Sequence, residues 1–96
     1  MKDSNAQTAF LALGQESRLK IFQLIVQAGD DGLTPADLIA QLAIPNATLS
    51  FHLKTLADAS LLRVERKSRQ LIYRPQLETV RQLAYFLQNE ITKKSY

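Results

Sequence analysis

Apolar residues along this chain follow a helical spacing, then a spacing of two, and then a helical spacing again. In the first half, four segments have apolar positions three and four residues apart, which is typical of α-helices that bury one face. We expect these helices at residues 6–13, 15–28, 34–43 and 46–59. The second carries apolar residues on more than one face, which predicts a central and mostly buried helix.

The third and fourth predicted helices are short and are joined by a tight turn. Thr34-Pro35-Ala36-Asp37 is typical of a helix start, because the threonine hydroxyl can accept from an early backbone N–H and Asp37 stands at the capping-box position. Ile44-Pro45-Asn46 interrupts the helical pattern, and Asn46 is the expected N-cap of the fourth helix. This layout predicts a helix-turn-helix, in which the second helix enters the major groove of DNA.

The apolar spacing changes to two at Leu62, and residues 62–74 predict a β-hairpin. Its tip is Lys67-Ser68-Arg69, which contains no glycine, so we expect a loop longer than two residues. Residues 76–93 return to a helical spacing and predict a long last helix.

The last predicted helix has a seam that suits a second helix. Its seam residues step by three and four, a repeat of 3.5 that is typical of helix–helix pairing. The alternative is that this helix packs on its own domain, and a second apolar flank at Leu83 and Phe86 would allow both. The seam residues, which are the candidates for a homodimer interface, are Leu77, Val80, Ala84, Leu87 and Ile91.

Positive charge is concentrated in the hairpin. The net charge is +3, and the segment 60–75 has five basic residues against Glu65 alone, so it holds the whole positive excess. Such a segment indicates an electrostatic footprint on phosphate, or simply a solvated charged hairpin. Arg66, Lys67 and Arg69 are the candidates for contacts with phosphate or the minor groove.

The fourth helix provides the candidate base-reading face. If Leu49, Leu53 and Leu56 point inward, an advance of about 100° per residue places polar residues and one phenylalanine outside or at the rim. An exposed Phe51 can contact thymine methyls in the major groove; the alternative is that its ring packs under the hairpin. The candidate DNA-binding residues of this helix are Asn46, Thr48, Ser50, Phe51, His52, Lys54 and Thr55.

Several chemistries are not expected from this composition. The chain has no cysteine and one histidine, His52, so we expect no disulfide, no thiolate site and no metal site. Asp30 and Asp31 have the character of turn residues. Without a partner nucleophile for His52 or a glycine-rich phosphate loop, we expect no catalytic residues, no cofactor and no enzymatic activity. No signal peptide or membrane-spanning run is evident, so residues 1–96 are expected to form one cytoplasmic domain with no membrane partner.

Three segments resemble the ArsR/SmtB family of bacterial winged-helix repressors, and the resemblance covers about residues 12–87. The segment 13–21, LGQESRLKI, resembles the opening helix pair of that family. The segment 44–56, IPNATLSFHLKTL, is similar to its recognition helix and is the most specific part. The segment 63–73, RVERKSRQLIY, resembles its wing.

The resemblance implies a homodimer paired through the first and last helices, which adds Phe10 of the first helix to the candidate interface. Such a dimer binds a two-fold symmetric operator in double-stranded DNA and represses transcription. It also implies an inducer, commonly a metal or metalloid, and here the chain departs from the family. One family site uses cysteines in the third helix, where this chain has Leu33-Thr34-Pro35-Ala36-Asp37, and another uses Asp and His pairs on the last helix, which here has no histidine. The subgroup with the most similar recognition helix binds arsenic through C-terminal cysteines, and near that place stand Asn89-Glu90-Ile91-Thr92.

The sequence therefore predicts a mainly α-helical winged helix-turn-helix domain with a small β-hairpin, in the order α-α-α-α-β-β-α. We expect a homodimeric, sequence-specific DNA-binding repressor. Two alternatives stay open. One is a winged-helix module that binds a protein partner through Phe51 and the last-helix seam. The other is a repressor that responds to a non-thiol ligand, which the sequence does not identify.

Overall fold

The computed structural model describes residues 1–94, without the side chains of Ile91 and Lys94. Within these residues, five α-helices and one two-stranded antiparallel sheet follow in the order α-α-α-α-β-β-α, which confirms the predicted fold class. A single 3-10 turn, Gly29–Asp31, follows the second helix. The elements are α1 (Asp3–Leu13), α2 (Glu16–Ala28), α3 (Pro35–Leu42), α4 (Asn46–Asp58), β1 (Leu62–Lys67), β2 (Gln70–Pro75) and α5 (Leu77–Lys94).

The start of α1 and the capping of α4 differ from the expectations. Helix α1 begins at Asp3 rather than residue 6, and the carboxylate of Asp3 in its first turn suits the positive end of the helix dipole. Asn46 was predicted to be the N-cap of α4, but it is the first helical residue. Pro45 takes the N-cap position, and its carbonyl accepts from the Leu49 N–H at 3.0 Å.

The core lies where α4 crosses α1 and α2. Leu49, Leu53 and Leu56 of α4 are at most 2% exposed, as predicted from their spacing, and burial of a leucine side chain contributes about 1.5–3 kcal/mol. Helix α2 is less buried than expected. Its inner residues are Ile21, Phe22 and Ile25, whereas Leu19 and Val26 on its outer side are 43% and 40% exposed. The expectation of a mostly buried α2 is wrong because no element of the described chain covers that outer side.

The hairpin turn is shorter than predicted. Lys67 pairs with Gln70, which leaves Ser68 and Arg69 as the two central residues of the turn. Both have positive φ, 51° and 69°, as a two-residue primed turn between twisted strands requires. The expectation of a longer loop is wrong because these two residues adopt the left-handed conformation without glycine.

The hairpin is fixed to the helices by the segment between α2 and α3. Leu33 and Tyr73 exchange both backbone hydrogen bonds, at 3.0 and 2.8 Å, so an isolated antiparallel bridge joins this segment to β2. Gly32, with φ of 68°, precedes it and lies against the backbone of β2. Thr34 then begins α3 with the expected capping box, in which its hydroxyl accepts from the Asp37 N–H at 3.2 Å and Asp37 accepts from the Thr34 N–H at 3.0 Å.

Helix α5 closes the domain and keeps an open side. Leu83 is 5% exposed and packs into the core, with Val80 and Phe86 half-buried beside it. Leu77, Ala84 and Leu87 remain exposed. No described helix is both long enough and apolar enough to cross a membrane.

Candidate nucleic-acid interface

The outer face of α4 presents three of the residues expected to read DNA bases. Because the leucines of α4 are held in the core, Thr48, Ser50 and Phe51 are turned to solvent. The ring of Phe51 is 63% exposed, so the alternative in which it packs under the hairpin is wrong for this chain. An exposed aromatic ring flanked by hydroxyl groups can make both apolar and hydrogen-bonding contacts to base edges.

Lys54 and Thr55, two further polar residues of α4, have local partners. Lys54 Nζ lies 2.8 Å from Asp58 Oδ2, and this hydrogen bond raises the pKa of Lys54. The hydroxyl of half-buried Thr55 donates to the Phe51 carbonyl at 3.0 Å. Asn46 is exposed at the first helical position. A phosphate contact by Lys54 would therefore replace its pair with Asp58.

The expectation that His52 lies at the rim of the outer face is wrong. Its side chain is 8% exposed, and its Nδ1 lies 3.4 Å from a terminal guanidinium nitrogen of Arg18 on α2. The ring turns inward because α2 is packed against the same side of α4 as the leucine stripe. The proposed donation from His52 to bases thereby loses its geometric basis. Burial, and then the positive charge of Arg18, lower the pKa of His52.

Arg18 has a structural role at the meeting point of three helices. Its Nε donates to the Ala12 carbonyl at 2.7 Å, at the end of α1. Its backbone N–H donates to the Gln15 side chain at 2.8 Å, which caps α2. The guanidinium thus lies between the end of α1, the start of α2 and the inner side of α4.

The wing, defined as β1, β2 and their turn, presents its cations at the tip. Arg66, Lys67 and Arg69 are exposed, and none forms an ion pair with a carboxylate of the described residues. The hairpin has two-residue geometry, so these three side chains are held within a short stretch of backbone. A cluster of unpaired cations on a projecting ribbon is suited to phosphate or to a minor groove.

Arg74, at the base of the wing, serves the wing itself. It donates to the Asp30 carbonyl at 2.9 Å and to Glu65 Oε1 at 2.6 Å. The hydrogen bond and the charge of Arg74 hold the pKa of Glu65 below its usual value. The only carboxylate of the wing is therefore neutralised in place. The pairing of Arg74 with Glu65 on the other strand depends on the register of β1 and β2.

An apolar groove lies between α1 and α5. It has a volume of about 520 Å³ and is lined in part by Phe10, Leu11 and Phe86. Leu11, which the sequence analysis did not single out, is 67% exposed, and Phe10 is 37% exposed. Ile91 of the predicted interface lies outside the residues whose side chains are described. In the described part of the chain, no group of three or more histidine or acidic side chains is placed to hold a metal ion.

Comparisons with known proteins agree with this geometry. Residues 13–65 match a family model described as a helix-turn-helix domain. The structure is similar to an ArsR-like transcriptional regulator from Rhodococcus sp. RHA1, with a TM-score of 0.86 and 20% identity over 96% of this chain and 84% of that one. No curated protein sequence matches significantly.

Two further solved structures share the fold. One is the homodimeric winged helix-turn-helix DNA-binding domain of a possible ArsR-family regulator from Mycobacterium bovis, with a TM-score of 0.73 and 17% identity over 100% of this chain and 94% of that one. The other is the antimony-specific transcriptional repressor AntR, with a TM-score of 0.63 and 25% identity over 92% of this chain and 78% of that one. The winged helix-turn-helix fold predicted from the sequence is thereby confirmed.

Proposed function

Because this chain belongs to the helix-turn-helix family of DNA-binding domains and has the winged fold of ArsR-type transcriptional regulators, we propose that it is a homodimeric, sequence-specific repressor. The observation that carries the proposal is the pairing of two surfaces. An exposed face of α4 holds Phe51 between hydroxyl groups, and a wing with three unpaired cations stands beside it. A repressor acting on chromosomal DNA works in the cytoplasm.

Sequence preference is assigned to the outer face of α4. Thr48 and Ser50 donate to base edges or phosphates, and Phe51 contacts thymine methyls in the major groove. Asn46 and Lys54 contact the phosphate backbone at the edges of this face, and phosphate contacts fix the register of a protein on its site. Thr55 supports the face from within, because its hydroxyl is bonded to the Phe51 carbonyl.

Affinity is assigned mainly to the wing. Arg66, Lys67 and Arg69 bind phosphate or enter the neighbouring minor groove, which releases counterions and makes binding sensitive to salt. For a dimer with six to ten phosphate contacts, the affinity falls by about 10³–10⁵ between 50 and 200 mM salt.

The dimer is assigned to the surface formed by α1 and α5. Phe10, Leu11 and Leu87 are exposed apolar residues there, and large exposed apolar residues in a small domain favour burial against a second copy. Leu77, Val80 and Ala84 continue the seam, and Ile91 is proposed from the sequence alone. Pairing about a two-fold axis would set two α4 helices about 34–36 Å apart, so the operator is two-fold symmetric.

The test is a selection of bound fragments from the parent genome, followed by sequencing and by measurement of the dimer mass in solution. We expect enrichment of sites with two symmetric halves about one helical turn apart. Binding that is equal for all fragments would refute sequence specificity. A salt-insensitive association with a protein, with no shift of any DNA fragment, would instead favour the protein-interaction module.

A further inference from the structure

The base-facing ring of Phe51 is connected to the end of α1 by three successive contacts. The carbonyl of Ala12 accepts from Arg18 Nε at 2.7 Å. The same guanidinium approaches His52 Nδ1 at 3.4 Å. The ring of His52 meets the ring of Phe51 edge to face, with centroids 5.8 Å apart and an interplanar angle of 61°.

The chemistry of these groups fixes the direction of the hydrogen bonds. An arginine side chain donates and has no acceptor, so His52 Nδ1 must accept, and the proton of the neutral imidazole lies on Nε2. Protonation of Nδ1 would remove this acceptor and place an imidazolium beside a guanidinium. Arg18 is the only charged side chain in the described residues whose field shifts the pKa of His52, and both this charge and burial favour the neutral ring.

The connected groups lie on different parts of the molecule. Ala12 lies in the last turn of the helix proposed to pair with a second protomer, whereas Phe51 stands on the helix proposed to read bases. His52 is 8% exposed, so its ring is held by packing as well as by Arg18. The hydrogen bonds therefore set the position of α4 relative to the end of α1, and the ring contact sets the orientation of Phe51.

We propose that Arg18 and His52 are positioning residues for DNA recognition, which hold the base-reading face of α4 in register with the end of α1. The inference rests on the proposed function, because it concerns the geometry of the same interface. Neither residue touches DNA, so their loss should weaken binding to the selected site and leave binding to random DNA nearly unchanged.

Two substitutions at one position separate positioning from packing. In His52→Gln the amide oxygen can still accept from Arg18. The leucine side chain of His52→Leu can fill the buried position but has no atom that accepts a hydrogen bond. We expect His52→Leu to lose about tenfold in affinity for the strongest fragment of the genomic selection, and His52→Gln to lose clearly less. A random duplex of equal length should bind all three proteins alike. Thermal unfolding and the dimer mass are measured on each.

The pH dependence of DNA affinity is a second measurement, and it can be made even if His52→Leu does not fold. As the pH falls from about 7.5 to about 5, protonation of His52 should reduce the affinity of the wild-type protein for the selected fragment. His52→Gln has no group to protonate there and should show a flatter profile, with the random duplex as the reference for general charge effects.

Equal affinities of His52→Leu and His52→Gln for the selected fragment would overturn the positioning role. This outcome leaves the proposed function intact, because it presupposes a selected fragment. If the genomic selection enriches no fragment, the proposed function fails instead.

Discussion

Substitution of Gly32 by alanine should release the wing from the rest of the domain. A Cβ at this position would lie 2.7 Å from Ile72 Cγ2 and 2.8 Å from the Tyr73 carbonyl oxygen. The isoleucine methyl can rotate, but the carbonyl is held by its hydrogen bond from the Leu33 N–H. The backbone of Gly32, with φ of 68° and ψ of −174°, adds about 1–3 kcal/mol of conformational strain, and the forced contact adds a similar amount.

Gly29 offers a matched control for this substitution. Its backbone is nearly the same, with φ of 67° and ψ of −145°, but a Cβ there would meet nothing within 4 Å. Gly29→Ala should therefore lose only the conformational part, about 1–3 kcal/mol, while Gly32→Ala loses roughly 2–6 kcal/mol. Urea unfolding measures both, and each kcal/mol lowers Tm by about 4–8 °C in a domain of this size. Equal losses in the two variants would refute the close packing of Gly32 against β2.

Three further predictions concern the interface and the wing. Replacement of Arg66 and Arg69 by alanine should flatten the salt dependence of DNA binding by about 0.9 for each phosphate that is no longer neutralised, with little change in sequence preference. Phe51→Ala should reduce affinity for the selected site about tenfold and leave binding to random DNA unchanged, while the free energy of unfolding changes by less than about 0.5 kcal/mol. Arg74 lowers the pKa of Glu65, so their pairing stabilises the fold above the usual carboxyl range and is lost as pH falls through the lowered pKa. The Tm difference between wild type and Glu65→Gln should therefore vanish in acid.

The first of these predictions has a matched control variant, and each of the three has a result that would contradict it. Replacement of Arg81 and Lys93 by alanine removes the same charge from α5, where each cation lies near a glutamate, and should leave the salt slope unchanged. If both double variants flatten it equally, net charge and not the wing is responsible. A loss of random-DNA binding by Phe51→Ala would contradict a base-reading role. A Tm difference for Glu65→Gln that persists in acid would mean that its pairing with Arg74 contributes nothing.

Local signals in the sequence were sufficient for the helices and for the inner side of α4. The leucines of α4 are spaced so that only one side of a helix can be buried, and the capping box at Thr34 is formed by neighbours in the chain. The same spacing correctly predicted that Phe51 is exposed. Phe51 stands two positions before the buried Leu53, and residues two positions apart lie on nearly opposite sides of a helix. The assignment of His52 failed at the border between the two sides, where the spacing alone does not decide exposure.

Contacts between distant segments were decided only by the tertiary structure. The two hydrogen bonds between Leu33 and Tyr73 join residues far apart in the chain, and Arg18 meets His52 only because α2 packs beside α4. The outer side of α2 carries Leu19 and Val26, and their exposure depends on whether another element covers them. The spacing of apolar residues within α2 does not indicate whether such an element is present.

In the turn of the wing, too, the sequence predicted the element and the tertiary structure decided its details. Alternation of apolar residues specified a hairpin, since side chains of a strand point to opposite faces in turn. Its length depended on the register of Lys67 with Gln70, which forces Ser68 and Arg69 into positive φ against their local preference. The periodic pattern of apolar residues indicates which side of a helix or strand faces inward, because the buried positions of that element are apolar. The packing of the whole chain decides which elements contact each other and in which register.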